Sequence, residues 1–225
     1  MKKVSIAVIG GAAMSIASLA QAADLPYRGA AAGNYDYPPS FTWTGLYAGL
    51  NTGVGIGTFN GTGAPYFGSD PKGWLLGVTA GYNYQSGNLL MGGEADFDWS
   101  RIASDATVFP GVTSTGIVQN MSTIRARFGY TMDRILIFGT GGYAGASIRG
   151  VLNNVPRGSV ADQSYWANGF ALGFGAEYAI TPHITAKAEY IYTSFGSNTY
   201  FAGTPNVSSV GANINLLRAG VNYKF

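Results

Sequence analysis

From Trp43 to Phe225 the chain alternates apolar residues with polar or glycine residues, in eight stretches divided by turn-forming segments. A period of two puts successive side chains on opposite faces of a strand, whereas on a helix the same pattern scatters apolar groups around the axis. The pattern restricts the chain to an all-β architecture. The third stretch, Leu89 to about Ile102, is the clearest: Leu89, Met91, Ala95, Phe97 and Trp99 alternate with Gly92, Glu94, Asp96 and Asp98.

The other stretches follow the same rule. The first, about Trp43 to Gly57, sets Leu46, Ala48, Leu50, Val54 and Ile56 against Tyr47, Asn51 and glycines. The second, Gly73 to Gln85, sets Trp74, Leu76, Val78, Ala80, Tyr82 and Tyr84 against Thr79, Asn83 and glycines. The fourth, about Val118 to Thr131, sets Ile124, Ala126, Phe128 and Tyr130 against Thr123, Arg125 and Arg127. In the fifth, Ile135 to Arg149, both faces are apolar or small, and the register stays open. The sixth, Tyr165 to Ile180, carries Glu177 among glycines on its second face, and the seventh, Ile184 to Phe195, carries Lys187 and Glu189. The eighth, Asn213 to Phe225, sets Leu217, Ala219, Val221, Tyr223 and Phe225 against Arg218, Asn222 and Lys224.

The connections alternate in length. Residues 86–88, 132–134 and 181–183 are short turns, while 58–72, 103–117, 150–164 and 196–212 read as long loops. An even number of antiparallel strands with short turns at one end and long loops at the other is the pattern of an outer-membrane barrel with both termini periplasmic. The prediction is an eight-stranded antiparallel transmembrane β-barrel of up-and-down topology, placed in the cell outer membrane. A soluble lipocalin-like barrel would show the same alternation with its faces exchanged. Composition favours the membrane arrangement. Only 11% of residues are charged, against 14% aromatic and 34 glycines, and about a quarter charged is usual for a soluble domain. Tyr82, Tyr84, Phe128, Tyr130, Tyr178, Tyr190, Tyr192 and Tyr223 gather near strand ends, where interfacial girdles sit.

Ahead of the barrel, residues 1–22 read as an export signal: Lys2 and Lys3, an apolar run from Val4 to Leu19, and the cleavage site Ala20-Gln21-Ala22. The cut falls after Ala22 or Ala23. Residues 23–42 read as a periplasmic lead-in, and 43–225 as the barrel. Removing the signal takes two lysines from a formal charge of +2, and no clustered Lys/Arg face remains for nucleic acid. Without cysteine there are no disulfides, thiolate metal sites or cysteine nucleophiles.

The alanine-rich signal ending AQAAD, the motif Trp43-Thr44-Gly45-Leu46-Tyr47-Ala48-Gly49 and the closing Arg218-Ala219-Gly220-Val221-Asn222-Tyr223-Lys224-Phe225 resemble the small outer-membrane proteins of alphaproteobacteria. These are the surface immunogenic, porin-family proteins with an OmpA-like eight-stranded barrel. The resemblance spans essentially the whole mature chain. It implies an abundant envelope protein, with haem-binding or adhesive relatives. It further implies that the last strand, through Leu217, Ala219, Val221, Tyr223 and Phe225, is the signal read by the barrel-assembly machinery. The separate peptidoglycan-binding domain of larger relatives is not expected here.

The chemistry-bearing residues collect on the face opposite the apolar belt: Glu94, Asp96, Asp98, Glu177 and Glu189 with Arg125, Arg127, Lys187 and Arg218. An eight-stranded lumen is filled by its own side chains, so these charges are expected to pair as a plug, or alternatively to exchange partners along an ion path. Asp96 and Asp98 are a weak candidate for holding a cation; no metal or cofactor site is otherwise expected. His183, the sole histidine, reads as a turn residue. The run Gly139-Thr140-Gly141-Gly142-Tyr143-Ala144 mimics a dinucleotide fingerprint, but no helix-forming sequence follows it. Tyr66, Phe67, Phe109, Tyr200 and Phe201 are candidates for contacting a host or small-molecule ligand through the loops, with Tyr66 or Tyr200 for haem. Expected partners are outer-membrane lipid, lipopolysaccharide and the assembly machinery. The functions in play are an envelope scaffold with surface display, a narrow pore, and a loop receptor or adhesin; an enzyme is not expected.

Overall fold

The computed structural model describes residues 41–62, 70–154, 159–200 and 208–225. Side chains at several outer strand ends, Phe109 and Tyr200 among them, fall outside that description, as do Tyr66, Phe67 and Phe201 and the signal and lead-in up to residue 40. Eight strands follow in chain order: β1 (Gly45–Thr62), β2 (Lys72–Ser86), β3 (Leu89–Phe109), β4 (Val112–Met132), β5 (Ile135–Asn154), β6 (Ser159–Ala179), β7 (Ile184–Tyr200) and β8 (Ser208–Lys224). Each pairs antiparallel with its neighbours, and β8 pairs with β1 to close the ring. Closure leaves no sheet edge and satisfies the ladder groups within the barrel, as a span through hydrocarbon requires.

The alternation of the sequence is the alternation of the wall. Leu50, Val54, Trp74, Leu76, Met91, Trp99, Ile124, Phe128, Leu172, Phe174, Leu217 and Val221 point outward and are about half exposed or more. The fifth strand settles with Ile135, Ile137 and Tyr143 outward and Leu136, Phe138 and Ala144 inward. Along β2 the outward apolar row runs from Tyr84 to Trp74. Ten steps of about 3.3 Å on a strand tilted near 40° give a belt of about 25 Å, the height of an outer-membrane barrel's apolar band. Tyr82, Tyr84, Tyr130, Tyr178 and Tyr223 form its lower girdle, and Trp74, Trp99 and Trp166 lie toward the upper one.

Two expectations need correction. The segment 103–117 is not a long loop: β3 and β4 continue as a ladder to Phe109 and Val112, joined by Pro110 and Gly111. The other outer connections also shorten, because β1, β5, β6, β7 and β8 all extend beyond their expected outer ends. The cause is a change of surface, not of backbone. Past Trp99 the outward residues turn polar, with Arg101, Asp105 and Thr107 exposed, since the wall has left the lipid. Register shifts between Trp99 and Ile102, between Val118 and Asn120, and between Phe195 and Asn198 mark the same transition and break the period on which the sequence reading depends.

The second correction concerns Trp43, which precedes β1 instead of opening it. Gly45, with φ of 141°, lets the chain turn at that point. Trp43 itself is almost fully buried.

Candidate functional site

The inner faces of β3, β4, β6, β7 and β8 bring all nine of the charged residues singled out above into one network. Period two places Glu94, Asp96 and Asp98 in a row on β3, with Arg125 and Arg127 facing them from β4. Glu94 pairs directly with Arg125, Glu177 with Lys187, and Glu189 with Arg218 in the ladder registers. Space for the side chains comes from glycine opposite them: a Cβ at Gly77 would lie 1.9 Å from Asp98 Oδ1, and one at Gly81 2.4 Å from the Tyr47 hydroxyl.

Arg125 is the hub. Its Nη2 lies 2.7 Å from both Glu94 Oε1 and Asp96 Oδ2, and its Nη1 lies 3.2 Å from Glu189 Oε2 and 2.8 Å from Thr140 Oγ1. Arg218 joins Asp98 Oδ2 at 2.8 Å, Glu189 Oε1 at 2.6 Å and Asp96 Oδ1 at 3.2 Å. Lys187 bridges Glu94 at 2.9 Å and Glu189 at 3.2 Å. Arg127 pairs with Glu177 and approaches Glu94 to 3.6 Å. Every one of these charged side chains is at most 3% exposed. Charges so far from water are tolerable only when paired and hydrogen-bonded.

A polar shell, most of it placed on the inner face by alternation but given no role there, adds to the pairing. The Tyr47 hydroxyl donates to Glu94 at 2.8 Å and accepts from Arg127 at 3.1 Å. Thr79 and Thr123 donate to the two oxygens of Asp96 at 2.7 and 2.8 Å, and Asn51 donates to Thr79. Thr185 and Asn222 donate to Glu177. Asp96 is therefore saturated by two hydroxyls and two guanidinium groups, and Asp98 shares Arg218. That leaves Asp96 no oxygen for a cation, while Asp98 Oδ1 has no hydrogen-bond partner; among the described residues no cluster of three or more suitable groups fits a metal ion.

The larger omission lies above and below the charges. Toward the outer end, Phe59, Leu75, Ile102, Val118, Met121, Ile148, Ile191, Ile214 and Leu216 fill the lumen as one apolar cluster. Toward the periplasmic end, Leu90, Leu136, Phe138 and Ala179 pack around Trp43, with Phe41 against them. Trp43 is fastened by its indole N–H to the Asp133 carbonyl at 3.1 Å, and its backbone N–H donates to Gln85 Oε1 at 2.8 Å. The Phe138 ring roofs this lower layer and lies 3.9 Å from the Arg127 guanidinium carbon, a cation–π contact. The lumen is thus apolar, charged and apolar in sequence. The signal was present in inward-phase residues such as Leu75, Leu136 and Leu216, which the assignment of apolar residues to the outer face passed over.

The remaining sites fall elsewhere. Leu217, Ala219, Val221 and Tyr223 alternate outward along β8, and Phe225 extends the ladder by its N–H to the Leu46 carbonyl at 3.0 Å. His183 stacks on Tyr223 at the periplasmic rim, with ring centroids 5.7 Å apart. The glycine run of β5 is an ordinary strand segment, without a helix after it.

Comparison with known proteins agrees with this geometry. A family model described as outer membrane protein beta-barrel domain matches residues 7–225. The 31 kDa outer-membrane immunogenic protein of Brucella melitensis is 34% identical over 246 residues, covering 100% of both chains. The 22 kDa outer membrane protein of Rhizobium leguminosarum is 31% identical over 83% of this chain and 80% of its own. Among solved structures, the outer membrane protease OmpT from Escherichia coli superposes with a TM-score of 0.51 at 12% identity, over 83% of this chain and 98% of that one, a likeness of fold alone. Both relatives are named for their location, and the Brucella one also for immunogenicity, and neither for an enzymatic activity. With its closed ring, lipid-facing belt and match along nearly its whole length, this chain belongs to the outer membrane β-barrel protein family.

Proposed function

We propose that this outer-membrane barrel serves as a closed envelope scaffold that holds its own lumen shut and presents β-hairpins beyond the outer rim. The observation that carries this reading is the stacking of two apolar layers on either side of a buried network in which each charged side chain meets one of opposite sign. An ion crossing the barrel would have to shed water against Leu75, Ile102 and Met121 and again against Leu136 and Trp43. Taking a charge into such surroundings without a partner costs many kcal/mol. The narrow-pore reading loses its support at those layers, not at the salt bridges. The decisive experiment is conductance of the refolded barrel in a planar bilayer. Silence from a verified, folded barrel is expected, and discrete openings of the unaltered protein would overturn the scaffold reading.

Display rests on a second observation: the β3–β4 ladder continues past the belt with a polar outer surface, as at Arg101, Asp105, Thr113 and Thr115. The description of the Brucella relatives as immunogenic supports an exposed outer end here as well. An epitope inserted between Pro110 and Gly111 should be labelled by antibody on intact cells; labelling only after permeabilisation would reverse the assigned orientation. Lipid and lipopolysaccharide are the partners of the belt, and the barrel-assembly machinery is the partner of β8.

A further inference from the structure

The periplasmic mouth holds a feature separate from the lumen. Between the β4–β5 turn, the turn before β7 and the end of β8 lies a half-open cleft of about 230 Å³, with Arg134, His183, Lys224, Phe41 and Phe225 in its lining. Its height is fixed by its neighbours. The Arg134 carbonyl accepts the N–H of Ala179, next to the outward Tyr178, and Phe225 follows Tyr223 with their rings 5.2 Å apart. The cleft therefore sits at the lower aromatic girdle, where a bilayer places its headgroups.

Its lining has an excess of positive charge. Among the described residues, no Asp or Glu side chain lies within ion-pair distance of Arg134 or Lys224, Asp133 in the same turn included. Lys224 Nζ donates to the Thr42 carbonyl at 2.5 Å and lies 5.1 Å from the centre of the Phe41 ring, which positions the amine without neutralising it. His183 Nδ1 is 2.9 Å from the Lys224 carbonyl, so that nitrogen carries the hydrogen and Nε2 is left for another partner. Arg134 and Lys224 against the Phe225 carboxylate leave the lining net positive.

We propose that this cleft binds the phosphate group of an anionic phospholipid of the inner leaflet. Arg134 and Lys224 hold the phosphate, His183 Nε2 is placed to accept from a headgroup hydroxyl, and the Phe41 and Phe225 rings flank the glycerol and upper acyl segments. The assignment rests on the outer-membrane placement but makes no use of the sealed lumen, so conductance and lipid preference fail independently.

The test uses the full refolded barrel in phosphatidylcholine vesicles carrying spin-labelled phosphatidylglycerol or spin-labelled phosphatidylcholine. The motionally restricted fraction of each label gives the preference. The unaltered protein should prefer phosphatidylglycerol, and that preference should fall by about fivefold for each of Arg134→Gln and Lys224→Gln, the ratio expected of one basic residue at an anionic surface. Arg134→Lys should keep it. Because Lys224→Gln also loosens the Thr42 contact, Arg134→Gln in the exposed turn is the deciding variant, with folding checked by the gel shift of the unheated barrel. An unchanged preference in folded Arg134→Gln would overturn the site. Displacement of the lipid label by inorganic phosphate beyond a chloride control of equal ionic strength would mark a free-anion site and overturn the lipid assignment. So would retention on purified peptidoglycan that Arg134→Gln abolishes while lipid preference stands.

Discussion

Arg125 and Arg149 are both ion-paired arginines, yet their replacement should have opposite consequences. Arg125 is buried against Glu94, Asp96 and Glu189, and Arg125→Ala leaves three carboxylates short of a partner in a site without water access. A loss of about 3–5 kcal/mol is expected, read as a lower urea midpoint for unfolding from lipid vesicles. Arg149 meets Asp162 above the belt, with both side chains substantially exposed, and Arg149→Ala should leave that midpoint where it was. The Arg149 hydrogen bonds hold the Asp162 carboxyl below its ordinary pKa. The small support from this pair is thus present at neutral pH and lost as pH falls through that lowered value. Tyr47→Phe makes a finer comparison. It removes only the hydroxyl between Glu94 and Arg127, and a hydrogen bond to a charged group is worth about 1.5–3 kcal/mol. A Tyr47→Phe barrel as stable as the parent would mean that the polar shell does not share in holding the charges.

At the scale of the element, β8 separates stability from assembly. The Phe225 side chain is 71% exposed toward lipid, while its backbone is tied to Leu46. Phe225→Ser keeps that backbone bond and forfeits only the ring's burial in the bilayer, about 1.5–3 kcal/mol. Refolding into detergent should therefore proceed, while the amount of assembled barrel in cells falls sharply. Equal losses in both settings would make Phe225 a packing residue and not a recognition signal. The strands also show what a sequence of this kind discloses. Where one face meets lipid, as at Leu89 to Trp99 or Leu217 to Phe225, alternation reported phase, facing and partner charges correctly. Past the rim both faces lose contrast: Ile102 and Val118 turn inward beneath polar neighbours, and bulges shift the phase. A strand there has the composition of a loop, which is why 103–117 read as one. Trp43 differs in another way: alternation opened the first strand on it, and the turn at Gly45 sets it ahead of β1, in the mouth. The five-to-four set of lumen charges was legible because lipid excludes such residues from the other face, but their partners among threonine and asparagine carried no comparable signal.

For the whole molecule, the three lumen layers act as barriers in series, so current should be limited by whichever layer remains shut. Trp43→Ala with Phe138→Ala removes the two buried rings of the lower layer, at about 3–5 kcal/mol each. Leu75→Ala with Ile102→Ala thins the upper cluster at about 2–5 kcal/mol each. Either pair alone should stay silent in a planar bilayer, because the opposite layer still forces an ion to dehydrate. The four changes together let water reach Arg127 from below and Arg218 and Asp98 from above. Once hydrated, those ion pairs lose much of their mutual attraction and can exchange partners. Brief openings are then expected whose frequency rises with salt, as screening loosens the pairs further. Openings after removal of a single layer would show that the charges alone never closed the barrel and that the other apolar layer is not a seal. A silent but folded fourfold variant would shift the barrier to the charge network, and a fifth change, Arg125→Ala in that background, would have to open it.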